Sequence, residues 1–517
     1  MNCLDGRSRA GLLLLAGILL ATLTEAIASS VLAFGRGEIM GAAHATPDEF
    51  AWLDVGYIAG KLSGFLLAPW LLSRLAPGNL LVAASVLMGV ACAACAGSSE
   101  LLPLSSWRVL QGLAGGVLLV AGQATLFLLF PRSQQALLQA LFAMASVVAP
   151  AALAPALSGW LIDSQSWPWS FLAVVPLACA ASGLLLGGGA GRLGLAPRPG
   201  DWPGTLLAAI ALCCATWVLS QGSRWDWFEE PRVLWLSAFG LTSLLGFLAL
   251  QCFRPGVLEV GLFRCSDFSF AFIVSFVAGA ALFGSAFLIP AFALSLLDFT
   301  PMAAGALLLP GALPFIAALL LTAWLVRGRG LAPFATVPLG ILLIMAAMWL
   351  LAGSGLDSGV DDMQAAVLLR GLGLGFLFLS ITLIAFSQLD RDHLASGIAL
   401  FNIGRQLGGL IGVAGLQTLI DHQQAANRVI LGSHLNAGDP ALVERLAQSS
   451  ALLAGEGLDR LAAGRAALGL LGRALGEQAA VLAFDSAFLA VAALFVVAAP
   501  LLVCIKVILA RRAQRLR

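Results

Sequence analysis

Charged residues are scarce in this sequence: they make up 11% of 517 residues, against 60% hydrophobic ones, and the mean hydropathy is +0.96. A soluble domain cannot be covered with so few charged groups, so the composition is that of an integral membrane protein. The net charge is only +1, and the arginines stand singly in short loops instead of forming a basic face, which excludes nucleic acid as a partner. Histidine is nearly missing. All four, His44, His393, His422 and His434, fall in expected loops, where neither a metal-ligand set nor a Ser/His/Asp arrangement can be assembled. No GxxxxGK[ST] phosphate loop occurs, which argues against ATP as an energy source, and the glycine run Gly371 to Gly375 sits inside an apolar span with no strand before it. No cofactor and no enzymatic chemistry are expected. Cys92 and Cys95 form a CxxC, but without a second pair or a nearby histidine they read as small apolar packing.

What is present is apolar length. Fourteen spans, each about 18 to 30 residues and long enough to cross a bilayer, are set at 11–34, 51–73, 80–97, 105–130, 136–161, 169–190, 204–222, 233–251, 268–297, 302–326, 334–352, 363–387, 395–421 and 483–508. The run from Gly11 to Ala33 exceeds the ~15 residues of a signal-peptide core, so it is taken as the first span. Arg7, Arg9, Arg74, Arg132, Arg192, Arg198, Arg254, Arg264, Arg327, Arg329, Arg391, Arg511 and Arg512 fall on one side. The opposite short loops are acidic or neutral. By the positive-inside rule both termini are cytoplasmic, which for a bacterial cell places a multi-pass protein in the inner membrane.

The second half repeats part of the first. An ungapped shift of 259 positions lays Gly112 on Gly371, Phe127 on Phe386, Arg132 on Arg391 and Ala140-Leu141-Phe142 on Ala399-Leu400-Phe401, as a parallel duplication would. Spans 4 and 5 thus recur as 12 and 13, a shift of eight. A six-span unit is therefore followed by two extra spans. The expected division is 1–190 for a six-helix bundle, 191–267 for two inserted helices with linkers, and 268–517 for a second six-helix bundle. The only long extramembrane segment, 421–480, alternates Leu and Ala with Arg, Glu and Gln, the pattern of short amphipathic helices.

Arg108 to Gly116 (RVLQGLAGG) resembles the fourth-helix signature of major facilitator transporters, and Pro150, Pro155 and Ser158-Gly159 resemble the antiporter signature of the fifth helix. Trp167 to Phe171, Gly305 to Gly311, Phe401 to Gly409 and Gln478 to Asp485 are similar to the fourteen-span drug:proton antiporter branch, over nearly the whole chain. Ala149 and Ala154 stand where that signature has glycines, the loop around Arg74 has no Asp, and the usual acid of the first helix gives way to Thr24 with Glu25 beside it. The resemblance implies an all-α major facilitator fold and a proton-coupled exporter of amphipathic or aromatic small molecules by alternating access. It also implies that a periplasmic adaptor, leading to an outer-membrane channel, could dock on 421–480. The rivals are a dedicated metabolite or siderophore exporter, an importer, and a membrane interaction protein that does not transport.

Charges inside the spans are the candidate site, because they must face a cavity or a partner. Glu25 lies about 14 residues, roughly 21 Å, into span 1, and Lys61 about 10 residues, roughly 15 Å, into span 2 from the other side. In a core near 30 Å they reach similar depth. They are assigned to proton coupling with Arg108 and Asp54; a static ion pair is the alternative for Glu25 and Lys61, an interfacial position for Asp54, and a snorkelling side chain for Arg108. Asp54, Tyr57 and Lys61 share a face of one helix, as do Arg108 and Gln111. Tyr57, Gln111, Gln123, Arg370, Asn402 and Arg405 are assigned to the substrate cavity, with structural pairing as the rival in the second half. Pro150, Pro155 and Gly159 weaken span 5 and permit close packing.

Overall fold

Proline placed just behind a capping side chain starts many of the helices. Thr46 caps α2 (Pro47–Arg74) through a capping box with Glu49, Asp201 caps α9 (Trp202–Gln221), and Thr300 caps α12 (Pro301–Ala306). The proline's missing N–H falls where a helix has no use for it. A computed structural model describes residues 8–189, 200–253, 259–386, 389–436 and 438–515. Arg7, Arg192, Arg198 and Arg254 lie outside the described residues. Fourteen helical segments among those described are long and apolar enough to cross a membrane, and none of the described residues forms a strand.

The first group of helices comprises α1 (Arg9–Ala42), α2, α3 (Pro77–Ala96), α4 (Leu101–Leu129), α5 (Gln135–Ala143), α6 (Ala154–Ser164), α7 (Trp167–Leu172) and α8 (Val174–Gly188). Here α2 packs on α4, α1 on α8, and α3 on both α4 and α8. Between α5 and α6, Met144–Leu153 is π-helical and contains Pro150; a proline breaks the regular ladder and widened turns absorb the break. The second group comprises α11 (Ser266–Leu296), α12, α13 (Ala312–Gly328), α14 (Val337–Leu351), α15 (Val360–Phe386), α16 (Arg391–Ser433) and α18 (Arg460–Arg515). In it α11 packs on α16, and α15 on α13 and α14. The two groups meet along α6 and α12, α5 and α13, and where α16 touches α2 and α4.

Helices α9 and α10 (Pro231–Phe253) pack on each other, and α9 packs against α2 and α16. Their apolar windows are only 28% and 22% buried, against 89% for α4, so they stand at the periphery while α4 runs through the centre. What lets α4 sit there is backbone proximity to α2. A Cβ on Gly112 would overlap the Tyr57 carbonyl oxygen, and one on Gly60 the Val109 carbonyl oxygen. This close approach sets the side chains around Tyr57 and Lys61 beside those around Arg108.

Several helices outrun their apolar spans. α1 continues to Ala42, beyond the expected end at 34, and α16 to Ser433, beyond 421. The segment 421–480 is therefore not a set of short helices. One short helix, α17 (Pro440–Gly455), joins the extended ends of α16 and α18, because no proline interrupts either extension. His422 and His393 accordingly lie in α16 and not in loops. The end of the molecule bearing α17 is called the hairpin end below, and the opposite one the arginine end.

Candidate functional site

At the centre of the first group, Glu25 on α1 is 1% exposed. Its Oε1 lies 2.6 Å from Lys61 Nζ and accepts a hydrogen bond from the Tyr57 hydroxyl at 3.0 Å. α4 makes room for it: a Cβ on Gly115 would lie 2.7 Å from Glu25 Cγ. The guanidinium of Arg108, fully buried, stacks over the Tyr57 ring at 4.2 Å. Its Nη1 donates to the Ala28 carbonyl at 2.9 Å and to Gln111 Oε1 at 2.5 Å. Gln111 Nε2 in turn donates to Cys92 Sγ at 2.8 Å. Tyr57 thus joins the acid to the arginine, presenting its ring to one and its hydroxyl to the other.

Arg108 is under-used. Its Nε and Nη2 are buried without a hydrogen-bond partner, and an unpaired buried donor costs about 1–3 kcal/mol, more when charged. A side chain held in that condition is suited to receive an acceptor that arrives in another state, whether a carboxylate or a ligand oxygen. Asp54, one turn of α2 from Tyr57, lies within electrostatic reach of Arg108 and Lys61 but makes no ion pair with either.

A second polar group crosses between the halves. Arg405 Nη2 donates to Asn402 Oδ1 at 2.5 Å, Asn402 Nδ2 lies 3.5 Å from Gln123 Oε1, and Gln123 Nε2 donates to Gln139 Oε1 at 3.1 Å. Arg405 also stacks on Phe378 at 5.4 Å and lies within electrostatic reach of Glu25. Arg370 stands apart from both groups. It is buried within the second half, where its Nε donates to Ser285 Oγ at 2.8 Å. Pro150 lies in the π-helical turn, Gly159 is buried, and the Pro155 carbonyl oxygen lies 2.7 Å from where a Cβ on Gly305 would be, in the seam between α6 and α12.

Sequence reasoning brought Glu25 and Lys61 together from depth alone, but it read Cys92 only as packing and gave no role to Gln139 or Ser285. Their signal was weak: a small polar side chain facing an in-span glutamine or arginine leaves no periodicity of its own. It also missed the bonds that close the two ends. At the arginine end, Arg391 Nη2 donates to the Leu128 carbonyl at 2.9 Å, and Phe127 meets Phe386 edge-on at 5.5 Å. At the hairpin end, the Met302 amide lies 3.2 Å from Asp163 Oδ2. There too the loop between α9 and α10 reaches both halves: Arg224 pairs with Asp48 of α2 at 3.0 Å, while Ser223 donates to Asp421 at 2.8 Å and Trp227 Nε1 to Thr418 Oγ1 at 3.0 Å, both on α16. Asp226 and Trp227 in that loop have positive φ, 47° and 56°, a conformation that bulky residues adopt only under constraint.

Residues 14–413 match the family model described as Major Facilitator Superfamily. The chain is 24% identical over 425 residues to the colistin resistance protein EmrB of Acinetobacter baumannii, covering 81% of this chain and 82% of that one. It is 23% identical over 426 residues to the multidrug export protein EmrB of Escherichia coli strain K12, with coverage of 81% and 82%. To the fatty acid resistance protein FarB of Neisseria gonorrhoeae it is 24% identical over 474 residues, 91% of each chain.

Proposed function

The chain belongs to the major facilitator superfamily of membrane transporters, and from that premise we propose that it is a proton-coupled exporter of amphipathic or aromatic small molecules. The observation that carries this reading is the buried Glu25 carboxylate, held by one lysine and one tyrosine at the centre of the first half. A proton on Glu25 cancels the attraction that holds Lys61 and leaves a lone cation beside Arg108. The seam of α1, α2 and α4 then favours a different arrangement, and a site whose charge differs between two states can bias the equilibrium between them. Asp54, nearer the hairpin end, is taken to pass the proton inward, and the two unpaired nitrogens of Arg108 to hold the displaced acceptor. Gln123, Asn402 and Arg405, with Tyr57 and Gln111, are taken to form the substrate site, Gln123 and Asn402 being the pair that reaches between the two halves.

Alternating access in this reading exchanges the contacts at the two ends, with residues 1–190 rocking against 268–517 and 191–267 inserted between them. The arginine end is taken as cytoplasmic, with both termini, and the hairpin end as periplasmic in a bacterial inner membrane. The names of the relatives, which speak of multidrug export and of colistin and fatty acid resistance, support amphipathic substrates. The hairpin of α16, α17 and α18 exposes the apolar side chains of Val429, Val443, Leu452, Leu461 and Leu468, and a periplasmic adaptor serving an outer-membrane channel would dock on this hairpin. The deciding experiment is efflux from proteoliposomes under an imposed pH gradient, over a panel of dyes, aromatic acids and fatty acids. Export of several classes supports the reading. Export of one class alone makes the protein a dedicated exporter, and no gradient-dependent movement of any removes the transport assignment.

A further inference from the structure

The polar chain that crosses between the halves has a direction, and an arginine sets it. Arginine has donors only, so Asn402 turns its Oδ1 to Arg405 Nη2, 2.5 Å away. The Ile398 carbonyl has acceptors only, so it receives Asn402 Nδ2 at 2.9 Å and fixes the same orientation from the other end. That nitrogen also reaches Gln123 at 3.5 Å, and it requires Oε1 there. Gln123 is left with Nε2 for Gln139, whose Oε1 accepts it at 3.1 Å. Every amide in the chain thus points its oxygen toward Arg405.

The chain ends at Gln139. Its side chain is buried, its Nε2 has no hydrogen-bond partner, and among the described residues Gln123 is the one side chain it bonds. Gln123 sits in the last two turns of α4 and Gln139 in the second turn of α5, both on the side of Arg132, whereas Asn402 and Arg405 belong to α16 of the second group. One amide therefore stands between a partner in its own half and a partner in the other. Without an acceptor at position 139, the Gln123 amide is free to turn over. The turned amide would set N–H against the N–H of Asn402, a repulsive contact at the seam.

We propose that Gln139 is a positioning residue of the transport cycle: it holds the Gln123 oxygen toward the second half, so that Asn402 meets an acceptor whenever the halves close on the arginine side. It acts through Gln123. The proposal rests on the reading that the two halves part and rejoin.

The test is hydrogen exchange by mass spectrometry on the full-length protein in detergent, followed over α5 and the first three turns of α16. Gln139→Met keeps the size of the side chain and removes the acceptor, so these segments should exchange about fivefold faster, the factor of one ordinary hydrogen bond. Gln139→Glu keeps an accepting oxygen in either protonation state and should exchange no faster than the unaltered protein. Asn402→Ala, in the other half, should by itself accelerate exchange as much as Gln139→Met. Combining the two should add nothing, whereas independent packing defects would multiply to about twenty-fivefold. Unchanged melting behaviour establishes that each variant is folded, and Gln139→Ala stands in should the methionine variant fail to fold. Exchange in Gln139→Met equal to that of the unaltered protein, multiplied effects in the double variant, or an acceleration by Gln139→Glu as large as by Gln139→Met would each overturn the proposal. Gradient-driven efflux by the unaltered protein tests the transport reading separately, and the exchange result decides the role of Gln139 whichever way that falls.

Discussion

Replacing Glu25 by glutamine tests the coupling site most directly, because the amide keeps the size and hydrogen bonding of the carboxylate and cannot exchange a proton. The Tyr57 hydroxyl keeps an acceptor, but Lys61, whose side chain is 11% exposed, loses its charge partner at 2.6 Å. Breaking a buried pair from one side costs about 3–5 kcal/mol, whereas replacing both members with apolar or neutral groups is neutral or stabilising by about 1–4 kcal/mol. Stability and coupling therefore respond differently to a pair of variants. Glu25→Gln should melt at a lower temperature than the unaltered protein and should move substrate down its own gradient but not in response to a pH gradient. Adding Lys61→Met should restore the melting temperature without restoring the gradient response. The assay is dye efflux from proteoliposomes, with and without an imposed pH difference, alongside thermal melting in detergent. Full gradient-driven efflux by Glu25→Gln would refute the coupling role. A double variant less stable than the single one would refute the account of the pair.

Arg108→Lys should abolish most transport while leaving the protein folded, since lysine keeps the charge but loses the planar contact with Tyr57 and the fork toward Ala28 and Gln111; equal activity would show that a point charge suffices. Gly115→Ala should impair coupling by pushing on Glu25 Cγ, at 2.7 Å from the added methyl, whereas Gly464→Ala in the open hairpin should not; equal gradient-driven rates would sink this steric reading. Shortening the chain from Leu435 to Gly472 should spare proteoliposome efflux yet remove resistance in cells and cross-linking to an adaptor. Full resistance with unchanged cross-linking would end the docking idea.

The apolar spans were legible in the sequence because a bilayer demands about twenty apolar residues whatever they pack against. Helix ends were not. The extensions of α1 to Ala42, of α16 to Ser433 and of α18 back to Arg460 lie outside the apolar runs, and hydropathy is silent where a helix is held by its own backbone. Depth arithmetic put Glu25 level with Lys61, because both helices rise by the same step per residue. It could not put Tyr57 between Glu25 and Arg108, or turn Arg370 toward Ser285, since rotation about a helix axis is fixed by neighbours distant in sequence. The pairing of Trp227 with Thr418 has the same cause: 191 positions separate them, and no local pattern announces the contact.

That pairing gives the loop between α9 and α10 a part in both groups of helices. Their loop is tethered on both sides, and the tethers are unequal. Toward α2 it holds by an ion pair whose side chains are 42% and 47% exposed, worth about 0–1 kcal/mol. Toward α16 it holds by two hydrogen bonds and a left-handed backbone around Asp226 and Trp227. If the hairpin end opens, the exposed ion pair to α2 is the weaker of the loop's two polar tethers, while α9 itself stays packed on α2 through Trp52–Trp217 and Trp70–Trp202. The loop between α9 and α10 thereby joins both groups of helices at the hairpin end, through one contact whose strength falls as salt rises.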